Sequence, residues 1–91
     1  MLKKNIALSN KLGLHARASA KLVSTADRFE AETYLTRIDN GLIASAKSIM
    51  GLMMLAAPYG TQFILSAEGP DAEAAMIAIS NLINHRFGEE D

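Results

Sequence analysis

Segments with two different hydrophobic periods alternate along this chain. Apolar and polar residues alternate one by one over 2–9, 31–37 and 62–67, which predicts half-buried β-strands. Apolar residues recur every three to four positions over 16–28 and again over 72–87, which predicts two amphipathic helices. A chain that mixes both periods in this order is typical of a protein in which helices pack on a sheet.

The middle of the chain adds a hairpin and another helix. The residues Asp39-Asn40-Gly41 favour a tight turn because they tolerate positive φ angles. We therefore expect a short third strand over 42–44, antiparallel to the second, and then a helix that Ser45 caps and that runs to about Ala56. The element order becomes βαββαβα. It predicts an α+β open-faced sandwich, with a four-stranded antiparallel sheet and three helices on one face.

The helix predicted after Ser45 is apolar on almost every side. A short helix beside a sheet offers a single stripe to the core, so part of this apolar surface is expected to stay exposed. We expect Leu52, Leu55 and Ala56 on the buried side. The exposed residues are then expected among Ile49, Met50, Met53 and Met54. Exposed methionines suit a protein with several partners because their flexible side chains repack, whereas the alternative is that they fill the core.

Size and composition exclude several functional classes. With 91 residues, the chain is expected to form one small domain over 1–91, with one core and no deep cleft. Its net charge of −1 argues against nucleic-acid binding, and the absence of cysteine excludes disulfides and thiolate metal sites. The sequence shows neither a signal peptide nor a run of ~20 apolar residues. We therefore expect a cytoplasmic protein without membrane insertion.

One histidine lies directly before the first predicted helix. His15 would face the free N–H groups of the first helical turn and the positive end of the helix dipole, which together form an anion site. We expect these amides to hydrogen-bond one ring nitrogen and to fix it as an acceptor. Arg17 follows two residues later, and its guanidinium matches the geometry of a phosphate. This pattern indicates a phosphoacceptor, although a lone histidine before a helix is more often structural.

Two motifs resemble a known family. The residues Gly13-Leu14-His15-Ala16-Arg17 and, downstream, Ala46-Lys47-Ser48-Ile49-Met50-Gly51-Leu52-Met53 resemble the HPr phosphocarriers of the bacterial phosphoenolpyruvate-dependent phosphotransferase system. Both motifs have the family's order and spacing, and the resemblance extends from about Leu2 to Phe87. Ala18 departs from the pattern, because most members carry at this position a proline that would rigidify the first helical turn.

The resemblance implies a fold, a site and partners. HPr-like proteins have the open-faced sandwich predicted above. In such a protein His15 would accept a phosphoryl group on Nδ1, and Arg17 would stabilise it. The phosphoryl group would come from phosphorylated enzyme I and pass to EIIA proteins or domains. The resemblance also implies that the carrier is a monomer, uses no cofactor or metal and is not itself an enzyme. The residues expected to contact these partners are Lys21, Ile49, Met50 and Met53.

Ser48 is a second candidate site. A serine in the first turn of a helix ordinarily makes a local hydrogen bond. This position also resembles the regulatory serine that HPr kinase/phosphorylase modifies in many bacteria, where a phosphate would place negative charge beside the apolar surface. We assign no function to His85, and we expect the tail Glu89-Glu90-Asp91 to be frayed and solvated.

Three roles remain compatible with the sequence. One is a carrier for sugar uptake and the transcriptional regulation linked to it. Another is a carrier of the nitrogen-related branch, like NPr, which the Leu52-Met53-Met54-Leu55 run and the acidic tail resemble. A regulatory binding module without phosphohistidine is a different class, and the presence of His15 and Arg17 argues against it. A small enzyme is disfavoured because the chain has no glycine-rich loop or cluster of metal ligands.

Overall fold

The computed structural model describes residues 1–89. Over these residues, four strands and three helices follow one another in the predicted order βαββαβα. Their bounds are β1 Leu2–Ala7, α1 Ala16–Ala26, β2 Glu32–Arg37, β3 Ile43–Ser45, α2 Ile49–Met54, β4 Gln62–Glu68 and α3 Ala72–Asn84. A short 3₁₀ segment, Arg86–Gly88, follows α3. None of the helices in this described part of the chain is long and apolar enough to cross a membrane.

The strands form an antiparallel sheet in the order β1-β4-β2-β3. β4 lies inside the sheet, where Phe63 is paired with Ile6 of β1 on one side and with Arg37 of β2 on the other. The hairpin between β2 and β3 turns as predicted: Gly41 has a φ of +74° and donates its N–H to the Arg37 carbonyl at 2.9 Å. β3 begins at Ile43, one residue later than predicted.

The helices pack on one face of the sheet. Phe63 and Leu65 of β4 are fully buried there, together with Leu22 of α1 and Ile79 of α3. Ile64, whose side chain points to the opposite face, is only half-buried. The alternation that predicted the strands therefore separates a core face from a solvent face, and the open-faced sandwich is confirmed.

α2 is shorter than predicted and has a different cap. Ser48, not Ser45, is the N-cap, because its hydroxyl accepts the Gly51 N–H at 3.0 Å. The hydroxyl of Ser45 instead accepts the Lys47 N–H at 3.1 Å in the turn before the helix. Ser48 therefore precedes the first turn rather than lying within it.

The buried side of α2 differs from the prediction at one residue. Leu52 and Leu55 are buried as expected. Ala56 is exposed, because the helix ends at Met54 and the chain then turns through a left-handed residue, Ala56, with a φ of +49°. Ala57 enters the core in its place.

The chain turns sharply after α3. Arg86 and Phe87 both have a φ of +56°, and Gly88 follows at +74°. Left-handed backbone costs about 1–2 kcal/mol for each residue that carries a Cβ. Burial of the Phe87 ring, which is 1% exposed, offsets much of this cost. Phe87 thus joins the core as predicted, but it lies beyond the end of the helix, and the turn directs the following residue toward the start of α1.

Candidate functional site

His15 lies at the N-cap of α1, as the sequence predicts. Its backbone is extended, with φ −83° and ψ −179°, and its carbonyl accepts the Ser19 N–H at 2.9 Å, the first hydrogen bond of the helix. The imidazole itself makes no hydrogen bond to the helix amides. The expected amide contact to a ring nitrogen is therefore wrong.

A tight loop fixes the position of His15. Gly13 has a φ of +71°, and a Cβ at this residue would lie 2.8 Å from Cα of Pro58. Leu14 donates its N–H to the Ala57 carbonyl at 2.8 Å, which ties the loop to the segment after α2. The buried side chain of Asn10 donates to the Gly13 carbonyl at 2.7 Å. Together these contacts leave the backbone before His15 little freedom.

Glu89 contacts the imidazole. One carboxylate oxygen of Glu89 forms a short hydrogen bond with Nε2 of His15, and the other accepts from Nδ2 of Asn10 at 3.1 Å. The side chain of His15 is 26% exposed and that of Glu89 only 14%. The prediction of a frayed tail is thus wrong for Glu89, because the turn after α3 returns it to the site. Glu90 and Asp91 lie outside the described residues.

The Glu89 carboxyl is held in its ionised form. Partial burial alone would raise its pKa. The hydrogen bonds from Asn10 and His15, with smaller electrostatic effects of His15 and Lys21, outweigh this effect and lower the pKa below its ordinary value. A carboxylate without its proton can only accept hydrogen bonds. Nε2 of His15 must therefore carry the hydrogen that lies between the two groups.

The two predicted cations of α1 have different surroundings. Lys21 donates from Nζ to the Phe87 carbonyl at 2.6 Å, so it holds the C-terminal segment beside the histidine. Arg17 is exposed, and within residues 1–89 its guanidinium makes no hydrogen bond or ion pair. Nδ1 of His15 likewise has no hydrogen-bond partner among these residues. A free guanidinium in the first helical turn and a free ring nitrogen at the cap are thus available to a ligand.

An apolar surface lies next to this helix end. Ser19 of α1 is within 3.6 Å of Sδ of Met53, which brings α2 against the first turns of α1. The exposed apolar residues of α2 are Ile49, Met50, Met53 and Met54, and we call them the methionine surface. The prediction that some of these residues are exposed is confirmed. Ser48 borders this surface and is half-buried.

One groove lies outside the histidine site. A shallow groove of about 710 Å³ runs between α1 and α3 and is lined by Arg28, Phe29 and His85 among others. It lies at the end of α1 opposite His15, so it takes no part in the histidine site. No group of three histidine, cysteine or acidic side chains within residues 1–89 could hold a metal ion.

Sequence reasoning missed the two side chains that hold the imidazole. Asn10 gives no signal of its own, because a buried side-chain amide looks like any loop polar residue. Glu89 is 74 residues from His15 and so escapes any local pattern. Phe87-Gly88 weakly indicates a chain reversal before Glu89, since an apolar residue and a glycine after a helix favour a left-handed turn.

The fold and the site define a class of protein: a small α+β sandwich that presents one histidine at a helix N-terminus beside an exposed apolar surface. The family model described as "PTS HPr component phosphorylation site" matches residues 2–85. The chain therefore belongs to the HPr family of the phosphotransferase system.

Relatives and solved structures agree with this assignment. The chain is 52% identical over 89 residues to the phosphocarrier protein HPr of Neisseria meningitidis serogroup A, covering 98% of each chain. It is 42% identical to the phosphocarrier protein NPr of Shewanella violacea, covering 97% of this chain and 94% of that one. The crystal structure of HPr-C-His from Thermoanaerobacter tengcongensis superposes with a TM-score of 0.93 at 42% identity, covering all of both chains.

Proposed function

We propose that this protein carries a phosphoryl group on His15, accepting it from phosphorylated enzyme I and passing it to EIIA proteins. The observation that supports this proposal is that, within residues 1–89, neither Nδ1 of the partly exposed His15 nor the guanidinium of Arg17 in the first turn of α1 has a hydrogen-bond partner. The helix dipole and Arg17 both favour a dianionic group at this place.

The site suits a carrier better than a hydrolytic enzyme. A carrier must give the group away, and each 1.4 kcal/mol of extra stabilisation shifts the transfer equilibrium about tenfold against donation. One helix N-terminus and one arginine hold a phosphoryl group without trapping it. The carboxylate that contacts the ring within residues 1–89, Glu89, is already engaged by His15 and Asn10, so it is not free to activate a water.

Partners are proposed to dock on the methionine surface and on the basic residues of α1. Met50 is 73% exposed, and Ile49 and Met53 are exposed beside it. Burial of these side chains would supply affinity, while Arg17 and Lys21 would steer acidic partner surfaces and speed encounter. Met54, 75% exposed, extends the same surface beyond the partner contacts expected from the sequence.

Ser48 is proposed as a regulatory phosphorylation site for HPr kinase/phosphorylase. Its hydroxyl caps α2 and borders the methionine surface. A phosphate there would add about −1.5 to −2 charge next to the proposed docking residues and would repel an acidic partner. We expect Ser48→Asp to slow transfer from enzyme I without unfolding the protein, whereas Ser24→Asp, on the exposed side of α1, should slow it less.

Two branches of the system remain candidates for the physiological role. We propose sugar transport and its regulation as one role and the nitrogen-related branch as the other, since the chain is 52% identical to a phosphocarrier protein HPr and 42% identical to a phosphocarrier protein NPr. A purely regulatory binding module is the third candidate. It would use the methionine surface alone. In that case a substitution of His15 would leave partner binding and the regulation that follows from binding unchanged.

The test of the proposed function is a phosphorylation assay read by intact mass. The protein is incubated with phosphoenolpyruvate, magnesium and enzyme I, beside His15→Ala and the matched variant His85→Ala. We expect one acid-labile phosphate on the wild type and on His85→Ala, and none on His15→Ala. A phosphate on His15→Ala at the wild-type level would overturn the assignment, as would its absence from the wild type when enzyme I phosphorylates a known carrier.

A further inference from the structure

The hydrogen bond between His15 and Glu89 determines which ring nitrogen is free. The Glu89 carboxylate only accepts, so Nε2 of His15 carries the hydrogen. In a neutral imidazole the other nitrogen is then the bare acceptor. This nitrogen, Nδ1, has no partner within the described residues 1–89. The contact thus holds the ring in one tautomer and leaves its lone pair free for an incoming group.

Several residues from distant parts of the chain hold Glu89 in place. The left-handed residues Phe87 and Gly88 turn the backbone after α3, and the Glu89 N–H donates to the Arg86 carbonyl at 2.9 Å. Lys21 binds the Phe87 carbonyl, and buried Asn10 binds the second carboxylate oxygen of Glu89. A solvated tail would need none of these contacts. The backbone contacts fix the turn and Asn10 fixes the carboxylate, so Glu89 is held against the imidazole.

We propose that Glu89 is a positioning residue for phosphoryl transfer: it selects the Nε2–H tautomer of His15 and so makes Nδ1 the nucleophile. This inference rests on the proposed function and adds to it a residue outside both sequence motifs. Asn10 supports the role by fixing the carboxylate, and Lys21 supports it by holding the backbone of the turn. Glu89 itself does not touch the phosphoryl group, because it binds the opposite side of the ring.

The transfer step balances without loss of a proton. The lone pair of Nδ1 forms the bond to phosphorus while the bond from phosphorus to the donor atom breaks, and that bond's electron pair remains on the donor. Nε2 keeps its hydrogen, so the ring becomes positively charged. The Glu89 carboxylate already faces this charge and stabilises it without reorganisation. Donation to an acceptor is the reverse step, and it restores the neutral ring.

Two other roles for Glu89 make different predictions. If the carboxylate only fastens the C-terminal segment to the fold, its removal lowers thermal stability and leaves the histidine chemistry unchanged. If it belongs to a docking surface, its removal changes the KM for the carrier and leaves kcat unchanged. A positioning role instead predicts a change in the ring's protonation pattern together with a loss in kcat.

The first experiment observes the ring directly by nitrogen-15 NMR on full-length protein at alkaline pH. In wild type we expect an unprotonated Nδ1 signal and a low-field proton on Nε2 that exchanges slowly with water. In Glu89→Ala we expect that proton signal to disappear and the Nδ1 signal to move toward the protonated form. The matched control is Glu30→Ala, an exposed acid beyond the far end of α1, which should match wild type.

The second experiment measures transfer from phosphorylated enzyme I at varied carrier concentration. We expect kcat for Glu89→Ala to fall about tenfold, a typical loss for a residue that orients a functional histidine, with little change in KM. Glu89→Gln retains the length of the side chain, so it serves as the second variant if Glu89→Ala fails to fold. It should also lose kcat, because a neutral amide does not offset the charge on the ring. Thermal unfolding of each variant shows whether the fold is retained.

The outcomes separate this inference from the proposed function. The NMR experiment needs no phosphoryl donor, so it tests the role of Glu89 even if His15 is never phosphorylated. An unchanged ring spectrum in Glu89→Ala would overturn the positioning role, as would an altered spectrum with unchanged kcat. A change confined to KM would also overturn it. A wild-type protein that takes no phosphate would overturn the proposed function, whatever the spectrum shows.

Discussion

At the scale of single residues, the site depends on backbone conformations that only certain residues tolerate. Gly13 is the clearest example, because it has a positive φ and also lies against the backbone of the segment after α2. Gly41 in the hairpin has nearly the same φ, +74° against +71°, but a Cβ there would meet nothing within 4 Å. A substitution at Gly41 therefore measures the free-energy cost of the left-handed conformation alone. A substitution at Gly13 adds the cost of a steric clash.

We predict that Gly13→Ala destabilises the protein more than Gly41→Ala. The hairpin variant should lose about 1 kcal/mol of unfolding free energy from left-handed strain alone. The Gly13 variant should lose at least about 1 kcal/mol more, because the new methyl group overlaps the Ala57 carbonyl and Pro58. Urea unfolding of both variants measures the difference. Equal losses would show that the close approach to Pro58 is unimportant.

The residues of the histidine site differ in how visible they are in the sequence. The position of His15 and of Arg17 follows from a local pattern, a loop followed by a helix, and the structure places both where that pattern predicts. Asn10 and Glu89 could not be predicted, because their roles arise from contacts between segments that are distant in the chain. The amide contact expected for the ring is absent, and a remote carboxylate holds the ring through Nε2 instead.

At the scale of secondary-structure elements, hydrophobic periodicity predicted β1, β2, β4, α1 and α3, whereas turn and capping residues predicted β3 and α2. The errors occur at the ends of the elements. The cap of α2 shows why. Ser45 and Ser48 both precede an apolar run, and the sequence alone offers no reason to choose between them. Only the backbone decides: Ser48 is extended, with φ −120° and ψ 107°, so its hydroxyl reaches the Gly51 N–H.

We predict that Ser48→Ala costs about 1 kcal/mol of unfolding free energy, because the Gly51 N–H loses its side-chain acceptor. The control is Ser24→Ala, an exposed serine inside α1, where alanine should be neutral or slightly stabilising. Denaturant unfolding of both variants checks this. A loss at Ser48 no larger than that at Ser24 would contradict the capping role.

The start of α3 gives a pH-dependent contribution. The Asp71 carboxylate accepts the backbone N–H of Glu30 at 2.9 Å and of Ala31 at 2.8 Å. The hydrogen bond from Glu30 has the largest effect and lowers the pKa of Asp71, whereas partial burial raises it. The hydrogen bond from Ala31 and the nearby charge of Lys47 lower it further, so the pKa lies below its ordinary value. A lowered pKa in the folded state means that this stabilisation is present above about pH 4 and is lost as the pH falls.

We therefore predict that Asp71→Asn is less stable than wild type near neutral pH, and that the difference narrows between about pH 5 and pH 2. Thermal unfolding at a series of pH values measures the gap. Lys47 is the nearby cation, so Lys47→Met should reduce the pH effect slightly without removing it. A constant gap across the range would contradict the assignment of the pH dependence to this carboxylate.

At the scale of the whole molecule, β4 organises the fold because it pairs with both β1 and β2 and buries its inward side chains. We predict that Leu65→Ala costs about 2–5 kcal/mol of unfolding free energy, whereas Ile64→Ala, on the half-buried face, costs about 1 kcal/mol. Urea unfolding of the pair tests whether the core lies on the helix side alone. Equal costs would contradict this arrangement.

In the proposed function, the protein takes up a phosphoryl group on His15 and releases it to another protein. The most direct measurement therefore follows release. Phosphorylated protein is separated from enzyme I, mixed with EIIA proteins of the sugar and nitrogen branches, and each chain is weighed by intact mass spectrometry. We predict that the carrier loses its phosphate as an EIIA protein gains one, and the EIIA that gains it identifies the branch. Loss of the phosphate to water, with no gain by any EIIA, would contradict the carrier role.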